Sequence, residues 1–262
     1  MKIDIDVALS YRLGPSRVAL LALEAARTEG QLVIGESLDV ANAVRHGIAG
    51  EGDVGRRSWV RTEAEVLNLA YRATVELSRA PVRLGTLGAA RWEALPADLI
   101  VFTRPSRYCQ SDRFETFAEH RFGNLSGGRK IAAILDWIAG EMEYAPGHSD
   151  SSTTVLETFA TRKGVCRDYV HLLCCLVRAS HIPARYVSAY GLSVDPPDFH
   201  AVAQVWLDGA WHLVDPSGMC SAEELVIIGA GRDAADVPFM ETPDEAVFVD
   251  QSVRVGPAQA SW

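Results

Sequence analysis

Arg162-Lys163-Gly164-Val165-Cys166-Arg167-Asp168-Tyr169-Val170 sets a cysteine just after a glycine-containing turn and at the head of an apolar helix. The first turn of a helix exposes unpaired backbone N–H groups and a partial positive charge, and both favour a thiolate over a thiol. Cys166 is therefore the candidate nucleophile. Beyond it Val170, Leu173, Cys174 and Val177 recur at helical spacing, and Leu172 and Leu176 widen the apolar face. This predicts a centrally buried helix that stops near Ser180-His181-Ile182-Pro183. Asp168 falls in the first turn, where its expected role is a favourable interaction with the helix dipole.

Downstream, strands are predicted at 184–190, 200–207 and 211–214, so that a central helix is followed by antiparallel sheet. Asp208-Gly209 between two apolar runs is a hairpin signal. A two-residue loop pairs Leu207 with Ala210, Trp206 with Trp211 and Val202 with Asp215. His200 then lies on the same face as Asp215 and diagonal to it, with Cβ atoms roughly 7 Å apart. A cysteine nucleophile needs a base for its proton, and the base needs a partner that fixes its tautomer. His200 and Asp215 are the candidates for these roles, whereas His212 falls on the other face. Each residue alone has an ordinary structural explanation. Together, Cys before a helix, then His, then Asp on one face of a hairpin follow the papain-like order of nucleophile, base and orienter.

Upstream of Cys166, helical period begins at Ser126, with a stripe of Ile131, Ile134, Leu135 and Ile138 and Trp137 beside it. The loop Tyr144-Ala145-Pro146-Gly147 is expected to wall the site, and a short helix is expected at 154–160. Residues 81–112, broken by Pro81, Pro96 and Pro105, read as a connector. Before that, short apolar segments at 3–9, 17–25, 31–40, 55–62 and 65–78 read mostly as strands, with a turn at 47–55. The fold class expected is α+β: a β-sandwich in 1–105 followed by a catalytic unit in 106–262.

Of the 262 residues, 48% are hydrophobic and 23% charged, with a net charge of −9. The acidic balance argues against nucleic acid or an anionic lipid surface as a partner. No apolar run reaches the roughly 18 residues that span a bilayer, and the alternating N-terminus reads as a strand instead of a signal peptide. The expected compartment is the cytoplasm. The five cysteines, Cys109, Cys166, Cys174, Cys175 and Cys220, match neither a disulfide scaffold nor zinc-ligand spacing, so reduced thiols and no metal are expected. Gly229-Ala230-Gly231-Arg232-Asp233-Ala234 looks like a dinucleotide loop, but charged residues and Pro238 follow it with no βαβ unit around it, so no cofactor is expected.

The sequence resembles the bacterial transglutaminase-like proteins, a branch of the papain-like cysteine enzymes. The resemblance rests on Gly164-Val165-Cys166-Arg167-Asp168, on the segment 178–190, on Asp198-Phe199-His200-Ala201, on 211–217 and on 231–237. It covers 126–240 most strongly. It implies Cys166 as nucleophile, His200 as base, Asp215 as orienter, and a protein or peptide substrate whose amide bond is opened through an acyl-enzyme. Hydrolysis is the expected outcome, with transamidation or a catalytically silent binding module as alternatives. The family usually carries an aromatic two residues after the histidine, where this chain has Val202. The Cys166 backbone N–H is the expected first oxyanion donor, with Tyr144 or Trp137 as the second.

Overall fold

The computed structural model describes residues 1–258. Its first half is built from strands β1 (Lys2–Arg12), β2 (Val18–Leu21), β3 (Gln31–Val40), β4 (Ala43–Ala49), β5 (Arg56–Thr62) and β6 (Val66–Leu77). Period-two alternation decides which face is buried. Ile3, Ile5, Val7 and Leu9 of β1 and Leu67, Leu69, Tyr71, Ala73, Val75 and Leu77 of β6 point inward, against Ala19, Leu21 and Val60 of the second sheet. Strand β4 was not anticipated. It pairs with β5 at a sheet edge, and with most of its side chains exposed it shows no apolar alternation.

The second half contains α1 (Glu115–Phe122), α2 (Gly127–Glu141), the two-residue strand β7 (Glu143–Tyr144), α3 (Val155–Thr161), a second two-residue strand β8 (Lys163–Gly164) and α4 (Cys166–Ala179). Strands β9 (Ala184–Gly191), β10 (Phe199–Leu207), β11 (Ala210–Val214) and β12 (Leu225–Gly231) follow, and they form an antiparallel sheet in the order β11-β10-β9-β12. α4 is buried along almost its whole length. Leu172, Leu173 and Leu176 pack among Ile134 and Ile138 of α2 and Ala201, Ala203 and Val205 of β10. Each such side chain contributes about 1.5–3 kcal/mol when removed from water. Helix α1, between the connector read at 81–112 and the helical pattern from Ser126, was not expected, because charged residues surround its two buried positions, Ala118 and Phe122.

The chain then returns to its beginning. β13 (Met240–Glu241) pairs with β2 and β14 (Val247–Pro257) pairs with β1, giving sheet orders β13-β2-β5-β4 and β14-β1-β6-β3. Strand pairing therefore does not follow the expected division into 1–105 and 106–262 at its C-terminal end: 240–257 completes the sandwich. β14 covers an edge of β1 that would otherwise present unpaired N–H and C=O groups. Gln31 clasps the two halves. Its buried amide donates to Ala26 O (2.6 Å) and Ile227 O (2.8 Å), and its carbonyl accepts from Ile227 N–H and Arg79 Nη2, both at 2.8 Å. Among the described residues no helix is long and apolar enough to cross a membrane.

Candidate active site

α4 begins where the local sequence forces it to. Val165 is extended, and the Asp168 carboxylate accepts its N–H at 2.9 Å, closing the first turn from within. Asp168 is fully buried and also accepts from Ser149 Oγ and from the Arg167 guanidinium. Its role thus exceeds the dipole interaction expected of it: it ties the turn before Cys166 to the loop after β7. Gly164 is required for this, because a Cβ there would stand 2.6 Å from Asp168 Cβ.

The approach to Cys166 is braced from behind. Arg162 adopts a left-handed conformation (φ 60°), and its guanidinium lies 3.8 Å over the Phe159 ring and 4.8 Å from the Trp137 centroid. β7 and β8 then pair in parallel, Tyr144 opposite Gly164, with Glu143 N–H donating to Arg162 O (2.8 Å) and Ala145 N–H to Gly164 O (2.9 Å). Cys166 itself is partly exposed, whereas the other four cysteines are buried and all five are free. Burial pushes the Cys174 and Cys220 thiols up to about 11 and raises those of Cys109 and Cys175 as well.

The hairpin register is the expected one: Leu207 faces Ala210, Trp206 faces Trp211 and Ala203 faces Val214. Asp208 and Gly209 both have positive φ (47° and 78°), which this two-residue turn demands and which an Asp-Gly pair supplies. His200 and Asp215 meet, Nε2 to Oδ2, at 2.9 Å, both side chains 1% exposed. Asp215 also accepts from Ser217 N–H (2.9 Å) and Oγ (2.6 Å) and from Cys220 N–H (3.0 Å). His212, on the other face, contacts Leu207 O through Nε2 at 3.1 Å.

Burial by itself lowers the His200 pKa, but hydrogen bonds with Asp215 and with the Cys166 thiol outweigh it and lift the ring to about 9. Burial likewise raises Asp215, yet its bonds with His200, Ser217 and Cys220 N–H hold it below the usual carboxylate range. Asp215 engages Nε2 and leaves Nδ1 as the ring nitrogen outside that pair. Cys166, His200 and Asp215 thus come together. Of the two aromatic candidates, Tyr144 lies beside Cys166 while Trp137 is buried, stacking on Phe159 at 5.9 Å. Val202 packs in a small buried cluster with Val187, Ala189 and Ile227. Sequence reasoning missed Ser149; the signal was Gly164 four residues before Asp168, which marks a carboxylate folded back onto the turn. Among the described residues no group of His, Cys, Asp or Glu side chains is arranged to hold a metal ion.

This arrangement sits within a fold of cysteine-dependent enzymes, and the chain belongs to the transglutaminase-like superfamily, whose family model matches residues 116–216. Over its whole length it is similar to the crystal structure of a proposed cysteine protease from Cytophaga hutchinsonii, with 32% identity, a TM-score of 0.92, and coverage of 100% of this chain and 92% of that one. An uncharacterised protein of Mycobacterium tuberculosis is 29% identical over 243 residues, 79% of this chain and 76% of the relative. One from Mycobacterium leprae is 30% identical over 118 residues, and the match spans 42% of that protein's length.

Proposed function

We propose that the chain is a thiol hydrolase of amide bonds in proteins or peptides, working through an acyl-enzyme on Cys166. The observation that carries this reading is the buried His200–Asp215 pair at 2.9 Å, facing a cysteine at the N-terminus of a helix. Cys166 attacks the carbonyl carbon and forms a thioester after His200 passes a proton to the departing amine. Water, deprotonated by the same ring, then releases the acid. Asp215 fixes the imidazole and stabilises its charged form. The likeness to the Cytophaga protein, a proposed cysteine protease, supports hydrolysis over transfer to a second amine. Five free thiols fit a reducing compartment such as the cytoplasm.

The test is to incubate wild type and Cys166→Ala with a peptide library, with and without an added primary amine, and to read adducts and products by mass spectrometry. The expected result is an acyl adduct on Cys166 that resolves to free acid and is absent in the variant. Incorporation of the amine in place of water would replace hydrolase by transamidase. An unchanged adduct yield in Cys166→Ala would remove the nucleophile assignment.

A further inference from the structure

We infer that Asp198 is a specificity-determining residue, its free carboxylate oxygen receiving a cationic group of the substrate, an ammonium or a guanidinium, close to the amide that Cys166 attacks. This deepens the hydrolase reading above and rests on it. Asp198 immediately precedes β10 and lies two residues before His200, so an extended chain puts the two on one face, roughly 7 Å apart. Phe199, between them, is turned the other way, its ring stacked 4.9 Å from that of Phe239 against the sandwich core. Asp198 is exposed, yet its carboxylate is held in place. Oδ1 accepts from Phe199 N–H and from Gln251 Nε2, both at 2.7 Å. Gln251 belongs to β14, so a strand of the sandwich fixes this carboxylate beside the base.

Both bonds engage one oxygen, and neither needs the charge: an asparagine carbonyl would accept them equally well. Among the described residues nothing donates to Oδ2, and no Lys or Arg side chain forms an ion pair with this carboxylate. The segments that frame it, 192–199 and 247–252, add Asp195 and Asp250 and contain no Lys or Arg. An unpaired carboxylate fixed at a reaction cleft draws in a positive group and repels a negative one. Its charge is felt beside the nucleophile, since burial, then Cys166, and last Asp198 raise the Tyr144 phenol to about 12. A bound ammonium or guanidinium donates a charge-assisted hydrogen bond to Oδ2 while Oδ1 keeps its two donors, so the carboxylate receives it without moving. An analogue lacking the cation leaves Asp198 unpaired beneath the substrate, and this difference is what discriminates. Roughly 7 Å corresponds to two residues of an extended peptide, so the cation belongs within about two residues of the scissile amide. A Lys or Arg side chain or the free α-amine of a short peptide supplies it.

Asp198→Asn keeps the Oδ1 acceptor and removes the charge. A peptide library varied between Lys and Gln at every position, with free or acetylated N-termini, is given to wild type and variant, and kcat/KM is read by mass spectrometry. The expected result in wild type is a preference of about tenfold or more for the cationic member of a pair, falling below about threefold in Asp198→Asn. Preference for Lys makes the side chain the source, and preference for the free terminus the α-amine. A second readout needs no turnover: the rates at which a trimethylammonium and a sulfonate methanethiosulfonate modify Cys166 at low ionic strength. Their ratio should fall by about fivefold or more in the variant. Turnover without cationic preference, a preference that survives in Asp198→Asn, or an unchanged reagent ratio overturns the inference. So does an equal loss for cationic and neutral peptides, which would make Asp198 a support for His200. Cys166→Ala separates the two levels. If it retains turnover, or if wild type cleaves nothing, the hydrolase reading fails and the reagent ratio alone decides the charge at the thiol. If it is inactive and the ratio in Asp198→Asn matches wild type, only the present inference fails.

Discussion

His200 and Asp215 carry the pH behaviour expected of this molecule. The His200 pKa stands above its ordinary value, at about 9, so the ring gains a proton more readily folded than unfolded. The stability this contributes is present in full below the ordinary histidine range and is lost as pH rises from about 6.5 to about 9. For Asp215 the sign is opposite. Its pKa is lowered, so its contribution is present above the ordinary carboxylate value and is lost as pH falls through the lowered one. In acyl transfer the protonated ring must hand its proton to the leaving amine, so kcat/KM should fall as pH rises through about 9. Asp215→Ala should reduce kcat by about 10²-fold or more and move that alkaline limb downward, read from a pH–rate profile of each protein. A limb that stays in place would show that Asp215 does not set the base.

Among the elements, the turn from β8 into α4 is the most tightly specified. Gly164→Ala puts a Cβ 2.6 Å from that of Asp168, and relief requires the carboxylate to release Val165 N–H or Ser149. Urea denaturation should show a loss of about 1–3 kcal/mol, accompanied by loss of turnover. Stability within 0.5 kcal/mol of wild type, roughly the range of harmless surface changes, would mean that the turn tolerates the methyl group. The hairpin was readable from sequence because period-two alternation and an Asp-Gly loop together leave one register, and that register alone brings His200 to Asp215. Helix α4 was readable for the equivalent reason at period 3.6. Helix α1 was not: Glu115, Glu119, His120 and Arg121 surround its short apolar face, so no stripe emerges. Asp168 was under-read because its charge suits the helix dipole whether or not it is buried.

At the scale of the whole molecule, the sandwich is closed by a strand about 240 residues from its partner, β14 against β1. The alternation of Val247, Val249, Val253 and Val255 marks a strand, but nothing local names its neighbour. Gln31 ties the same two halves together through its two buried hydrogen bonds to the Ile227 backbone. Gln31→Leu leaves the Ile227 N–H and C=O without these partners and should cost on the order of 3 kcal/mol in a thermal or urea melt. If the halves are joined as this clasp implies, wild type unfolds in one transition by both fluorescence and circular dichroism. What the assembled molecule presents at its surface is one reachable thiol, Cys166, beside a paired imidazole, and the central claim is that the pairing activates it. The most direct measurement is the iodoacetamide alkylation rate of Cys166 at pH 6, by mass spectrometry, in wild type and His200→Ala. The account predicts a rate in wild type at least about tenfold above that of the variant. Equal rates in the two proteins would contradict it.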